Sequence, residues 1–279
     1  MSATGSVNVE PSVRRREVRG PVSAGLVLLA GFGLIFLGLP LVGLLARAPW
    51  GSMVEILTSG PALQALRLSA ISATLATLCC LAFGVPLAVV LARVNARGMW
   101  VIRTLVVLPL VLPPVVGGAA LLAVFGRSST LGAWLYSSFG WQLPFTTAGA
   151  ILAETFVAMP FVVLTVESAL RTQGESYAEA AATLGASRWQ VFRMITLPMV
   201  APAVIAGAVL GFARALGEFG ATVTFAGNFP GVTTTLPLAI YGGFDSDPRA
   251  ATALSVLLLA FTATVLVFFR GHIAGWRRP

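Results

Sequence analysis

The sequence predicts an all-α, polytopic membrane protein with six transmembrane helices, and three observations carry that prediction. The 279 residues are 57% hydrophobic and only 10% charged, with mean hydropathy +0.90, against about 25% charged in an average soluble domain. That much apolar surface exceeds what one soluble core can hide. Six apolar stretches reach the roughly 20 residues needed to cross a bilayer. The arginines sit at the ends of these stretches and not along one polar face, so the net charge of +8 marks topology and not a nucleic-acid surface.

The first stretch is Val22–Ala46, preceded by Arg14, Arg15, Arg16 and Arg19. Ala46-Arg47-Ala48 resembles a cleavage site, but a signal-peptide core has only about 7–15 apolar residues. A retained first helix is therefore expected, after a cytoplasmic tail over residues 1–21, with residues 22–279 forming one transmembrane domain. Leu68–Ala92 and Thr104–Phe125 follow, both free of charge. Pro113-Pro114 with Gly117-Gly118 must interrupt or bend the third stretch. Such a break either lines a translocation pathway or is a packing kink. Ala148–Leu170 carries Glu154, expected near the outer end and partly wet, and Glu167, expected to snorkel or to pair with Arg171.

The fifth stretch, Met199–Phe225, contains Arg214 and Glu218, four apart, so their side chains can meet. A mid-membrane arginine costs about 2.5–3.5 kcal/mol on the insertion scale. The pair either gates an anion path or is a neutralised packing pair, and both readings stay open. Gly217 and Gly220 flank Glu218 and would admit a second helix. Ala250–Phe269 completes the set. Trp134, Tyr136, Trp141 and Tyr241 lie in the Gly- and Pro-rich loops after the third and fifth stretches and suit a membrane interface.

With the N-terminus inside, thirteen arginines fall on inner segments and four (Arg47, Arg67, Arg127, Arg249) on outer ones. The positive-inside bias puts both termini in the cytoplasm. It also puts the segment 172–198 there. In that segment Tyr177, Ala181 and Leu184 share one helical face, and Glu175 and Glu179 another. Gly185 suits a helix stop. Ser187 and Gln190 form a capping box. Trp189, Phe192 and Ile195 make an apolar stripe beside Arg188 and Arg193, as in a helix lying on an inner membrane surface. Pro198 then starts the next helix. A plain cytoplasmic connector fits the same periodicity.

The segment reads Glu179-Ala180-Ala181, three residues, Gly185, nine residues, Ile195, one residue, Leu197-Pro198. This resembles the signature of permease subunits of binding-protein-dependent ABC importers. "LPLVLPPVVGGAALL", "GRSSTLGAWL" and "FARALGEFGATVTFAGNFPGVTTTLPLAIY" resemble the molybdate-type branch, with sulfate and thiosulfate permeases as close relatives. The resemblance implies a type I importer transmembrane fold. It implies a cytoplasmic coupling loop over 172–198 in which Glu179, Ala180, Ala181, Leu184, Gly185 and Ala186 dock on an ATP-binding subunit. Ser187, Arg188, Trp189, Phe192 and Arg193 would lie on lipid, and Pro113, Pro114, Gly117, Arg214 and Glu218 are candidates for the pathway.

The implied partners are a second copy of the chain, ATPase subunits that hold ATP and Mg, an extracytoplasmic binding protein and membrane lipid. The implied location is the bacterial cytoplasmic membrane. With no Lys at all, the chain has no P-loop lysine, so no cofactor is expected in it. One His, two adjacent cysteines and no His-Glu-x-x-His or Gly-x-Ser-x-Gly motif argue against an intramembrane enzyme or a metal site. A channel would need a ring of charges or carbonyls and no docking loop.

Overall fold

The computed structural model describes residues 23–94, 96–173 and 176–269. Among them the chain is helical, with no strand. The tail 1–21, Glu175 and the last arginines (Arg270, Arg277, Arg278) lie outside the described residues, as do the side chains of Glu179 and Arg188. The described residues divide into two units, one up to Ala46 and one from Arg47 onward.

The first unit contributes α1 (Ala24–Ala46), with mean hydropathy 2.4, apolar on every side and carrying Pro40. In the second unit, α2 (Met53–Leu57) leads to α3 (Gly60–Cys79), a π turn (Cys80–Gly84) and α4 (Val85–Arg93). Gly60–Arg93 is one membrane-length run of 34 residues. It begins well before the expected Leu68, because Gln64 and Arg67 hide its N-terminal turns from a hydropathy reading.

The third stretch is two helices, α5 (Met99–Val111) and α6 (Pro114–Phe125), parted where Leu112 and Pro113 turn extended. α6 and α7 (Thr130–Phe139) together pass as a span bent by 55°. α8 (Thr147–Gln173) follows, then the short α9 (Ser176–Thr183) and α10 (Arg188–Val191). A π turn (Phe192–Thr196) joins α10 to α11 (Leu197–Leu216). The fifth stretch breaks at Gly217–Phe219 before α12 (Gly220–Ala226). α13 (Leu236–Ser246) and α14 (Pro248–Phe268) close the chain, with the Asp247 carboxylate accepting from the Arg249 and Ala250 amides at 3.1 Å to cap α14. Five described helical runs are long and apolar enough to cross a membrane, or six with the bent pair.

α8 is the central post. Ala158, Val162, Val163 and Val166 on it are 0% exposed and pack with Ala73, Ala76 and Cys80, with Ala88 and Leu91, and with Ala215 and Leu216. A β-carbon on Gly207 would sit 3.2 Å from the Val162 Cα, and one on Gly211 3.1 Å from the Val162 Cγ2. Within lipid, side-chain burial adds little hydrophobic driving force, so such close packing is what holds helices together.

A candidate coupling loop and a helix break joined by one helical run

The loop is built as its local sequence dictates. α9 carries Glu179, Ala180 and Ala181 and ends where Gly185 takes φ +86°. The Ala186 amide reaches back to the Ala181 carbonyl at 3.1 Å, and the Leu184 amide to the Ala180 and Ala181 carbonyls. That wrap is a left-handed C-terminal cap, which glycine adopts at little cost. No heavy atom lies within 4 Å of where a Gly185 β-carbon would stand, so the backbone and not crowding favours glycine there.

Ser187 and Gln190 form the capping box. The Ser187 amide donates to Gln190 Oε1 at 2.8 Å, and the Gln190 amide to Ser187 Oγ at 3.3 Å. Leu184 is 89% exposed, and Tyr177, Trp189 and Met194 are exposed too. Ala180 is also exposed, and Ala181 and Ala186 are half-buried. The loop therefore presents an apolar surface with small residues around it.

One expectation is corrected here. The sequence pattern ends the helix of Trp189, Phe192 and Arg193 before Pro198. They instead belong to a run, Trp189–Leu216, that continues through the π turn into α11. Proline in a first helical turn, as at Pro198, does not stop the run from behind, because a π turn precedes it and supplies helical backbone up to Leu197. Trp189 and Phe192 stack at 5.8 Å on this run. Arg93, at the end of α4, donates to Thr196 Oγ1 at 2.9 Å and ties the π turn to the helical bundle.

The other end of the run is the break. Arg214 Nη2 and Glu218 Oε2 are 2.5 Å apart, and the Ala221 amide donates to Glu218 Oε1 at 2.7 Å. Glu218 is 1% exposed, while the Arg214 side chain is 26% exposed. Glu218 thus neutralises the end of α11 and caps α12, and the guanidinium is the partly open charge.

The break at Pro113 lies against it. A β-carbon on Gly220 would stand 2.7 Å from Pro114 Cβ, and one on Gly118 2.6 Å from Thr224 Cβ. A β-carbon on Gly117 would stand 3.2 Å from the Phe156 ring. Gly217 meets only its own helix, at Ala213 O, so of the two flanking glycines Gly220 alone admits a neighbour. Beside the break, Gly217, Phe219, Tyr241 and Phe244 line a depression of about 530 Å³. The structure thus sets Pro114, at the break in the third stretch, against Gly220, two residues from Glu218 and its partner Arg214, and keeps the loop residues at the far end of the run.

Glu154 corrects a second expectation. It is not partly wet but 1% exposed, and the Ser72 hydroxyl donates to its Oε1 at 2.8 Å. On α3, Ser69 and Ser72 are both buried. Ser69 Oγ accepts from the Leu236 amide at 2.7 Å. Glu167 pairs with Arg171 at 2.9 Å, as its spacing suggests, and also with Arg103 at 3.2 Å. The Arg103 contact joins α5 to α8 and carries no local sequence signal. Trp134, Tyr136, Trp141 and Tyr241 are all exposed, as suits an interface, and the Arg127 guanidinium lies 4.0 Å over the Tyr136 ring.

Residues 84–278 match the family described as binding-protein-dependent transport system inner membrane component. The molybdenum transport system permease protein ModB of Mycobacterium tuberculosis is 47% identical over 235 residues, covering 84% of this chain and 89% of that one. The sulfate transport system permease protein CysT of Escherichia coli is 36% identical over 256 residues, covering 89% and 91%. A bacterial ABC transporter involved in the import of the acidic polysaccharide alginate shares the fold, with TM-score 0.72 at 19% identity over 91% of this chain and 95% of that one. The signature spacing, the multi-pass helical architecture and these matches agree: the chain belongs to the family of inner membrane components of binding-protein-dependent transport systems.

Proposed function

We propose that this chain is the transmembrane subunit of an ATP-driven importer of a tetrahedral oxyanion, molybdate or tungstate. The observation that carries the choice of anion is the 47% identity to a molybdenum permease, against 36% to a sulfate permease. Sulfate is the second reading. ATP hydrolysis belongs to separate subunits, because the chain has no lysine with which to build a phosphate loop. Two copies of the chain enclose the pathway, and an extracytoplasmic binding protein delivers the anion. Both termini and the loop 172–198 face the cytoplasm, as the arginine bias favours.

The loop is the contact with the ATPase. Leu184, exposed on a small-residue helix end, is the apolar knob, and Gly185 sets its angle. The run Trp189–Leu216, 28 residues and about 42 Å at 1.5 Å per residue, is the lever. Displacing one end shifts the other, where Arg214 and Glu218 sit against Pro114 and Gly220. An oxyanion passing the break meets the partly open guanidinium, while the carboxylate beneath it holds the net charge near zero. Passage rather than tight binding follows from that balance.

Uptake by proteoliposomes holding the complete transporter, with its binding protein and ATP, tests the reading. Unlabelled tungstate should compete with labelled molybdate at least tenfold better than sulfate does. Equal competition by sulfate overturns the molybdate assignment in favour of the sulfate one.

A further inference from the structure

A groove of about 400 Å³ runs between α4, α5, α6 and α8, lined by Leu87, Leu105, Val106, Phe125, Phe156 and Met159 among others. Its lining is apolar but for Thr155. The same faces of three of these helices continue into a charged end. On α8, Phe156 and Pro160 lead to Glu167 and Arg171. On α4, Leu87 leads to Leu91, and on α5, Val106 leads to Arg103.

At that end two guanidinium groups grip one pair of acceptors. Arg103 donates through Nε to Glu167 Oε1 at 3.2 Å and through Nη2 to the Leu91 carbonyl at 2.9 Å. Arg171 does the same at 2.9 and 2.8 Å. Two cations therefore share one carboxylate, which leaves a net positive charge. Both are held in fixed positions yet are half-exposed, at 39% and 44%. Exposed Arg97 and Trp100 lie on the adjoining turn, as at a headgroup layer.

We propose that this groove holds an anionic phospholipid, its acyl chain along α5 and its phosphate against Arg103 and Arg171. Charge complementarity selects this occupant. An apolar helix such as α1 of a second copy would fill the groove, but Ala24–Ala46 carries no acidic residue to meet the arginines. A phosphodiester supplies the missing negative charge, and its oxygens fit the outward N–H groups of paired guanidiniums. The site places a lipid against α4, whose Arg93 holds Thr196 beside the loop, so an occupied groove braces the lever.

Lipid retention by the assembled transporter tests this. The transporter is reconstituted with phosphatidylglycerol and phosphatidylcholine in equal amounts and then exchanged into detergent, and retained lipid is measured by mass spectrometry. Wild type should retain phosphatidylglycerol roughly fivefold or more over phosphatidylcholine, and Arg103→Gln with Arg171→Gln should bring the ratio near one. Because that pair also strips Glu167 of its cations, Leu105→Trp serves as a second variant. It leaves the clamp intact, fills the groove, and should lower retention of phosphatidylglycerol to the phosphatidylcholine level.

Equal retention of both lipids by wild type overturns the proposal, as does a preference unchanged in both variants. Complete displacement of the lipid by millimolar inorganic phosphate assigns the arginines to a free oxyanion and overturns it too. A photoreactive side chain at Leu105 should yield lipid adducts, and adducts to α1 of a second copy would assign the groove to that helix instead.

Discussion

At the break between α11 and α12, Glu218 holds Arg214 through one oxygen and the Ala221 amide through the other. The two partners are not equivalent. Removing Glu218 leaves a guanidinium that is already partly open and strips α12 of its cap, a loss of about 1 kcal/mol for the cap. Removing Arg214 leaves the cap in place but strands a carboxylate that is 1% exposed without its cation, a loss of about 3–5 kcal/mol for an uncompensated buried charge. Arg214→Leu should therefore lower the temperature at which the detergent-solubilised transporter loses its monodisperse elution peak by more than Glu218→Gln does, since the amide keeps the cap and leaves no buried charge. Arg214→Leu should reduce uptake more than it reduces assembled protein. Uptake that stays at the wild-type level in Arg214→Leu would place the pair off the path. The i, i+4 spacing made the ion pair legible in the sequence. The cap was not legible, because it exists only once the helix has broken at Gly217. Glu154 was misplaced for a related reason: its partner Ser72 is 82 residues away in the chain.

Between elements, the crossing of α6 and α12 rests on Gly118 and Gly220. A Gly118 β-carbon would stand 2.8 Å from the Ala221 carbonyl as well as 2.6 Å from Thr224 Cβ, and a carbonyl cannot turn aside. Gly118→Ala should cost about 1–3 kcal/mol by overpacking and lower both thermal stability and uptake. Gly117→Ala, facing an aromatic ring that can tilt, should be milder, and equal effects of the two would show that the crossing is not tight. In the loop, Gly185→Asp should insert and assemble but uncouple, with ATP hydrolysis retained and uptake lost at least tenfold, because φ +86° is strained for any side chain and the cap sets the angle of Leu184. Wild-type uptake in that variant would remove the loop from the coupling role. The proline break was readable because proline abolishes backbone donors. The break at Gly217–Phe219 was not, since the apolar pattern crosses it without a proline. Both π turns escaped for a further reason: one inserted residue shifts helical phase without interrupting hydrophobicity.

Over the whole molecule, the π turn at Phe192–Thr196 fixes how the loop is rotated about the axis of the lever. A π turn holds one residue more than the α turn it replaces, and one residue is a rotation of about 100° around a helix of 3.6 residues per turn. The loop's apolar face, with Leu184 and Tyr177, is therefore aimed by this turn relative to the break some 28 residues of helix away. Deleting Met194, which is 72% exposed, should restore α-helical register and swing the loop through that angle. The rest of the bundle, centred on α8, has no reason to change. The variant should reach the membrane at normal levels and keep its thermal stability within a few degrees. It should also lose uptake at least tenfold, with stimulation of ATP hydrolysis by the loaded binding protein abolished. Moving Thr196 away from Arg93 belongs to the same change, so Arg93→Gln in the otherwise unaltered chain separates the two causes. If Arg93→Gln alone reproduces the loss, the tie to α4 and not the rotation carries the coupling. If the Met194 deletion transports normally, the run from Trp189 to Leu216 is not a lever, and the loop must act on the pathway through α8.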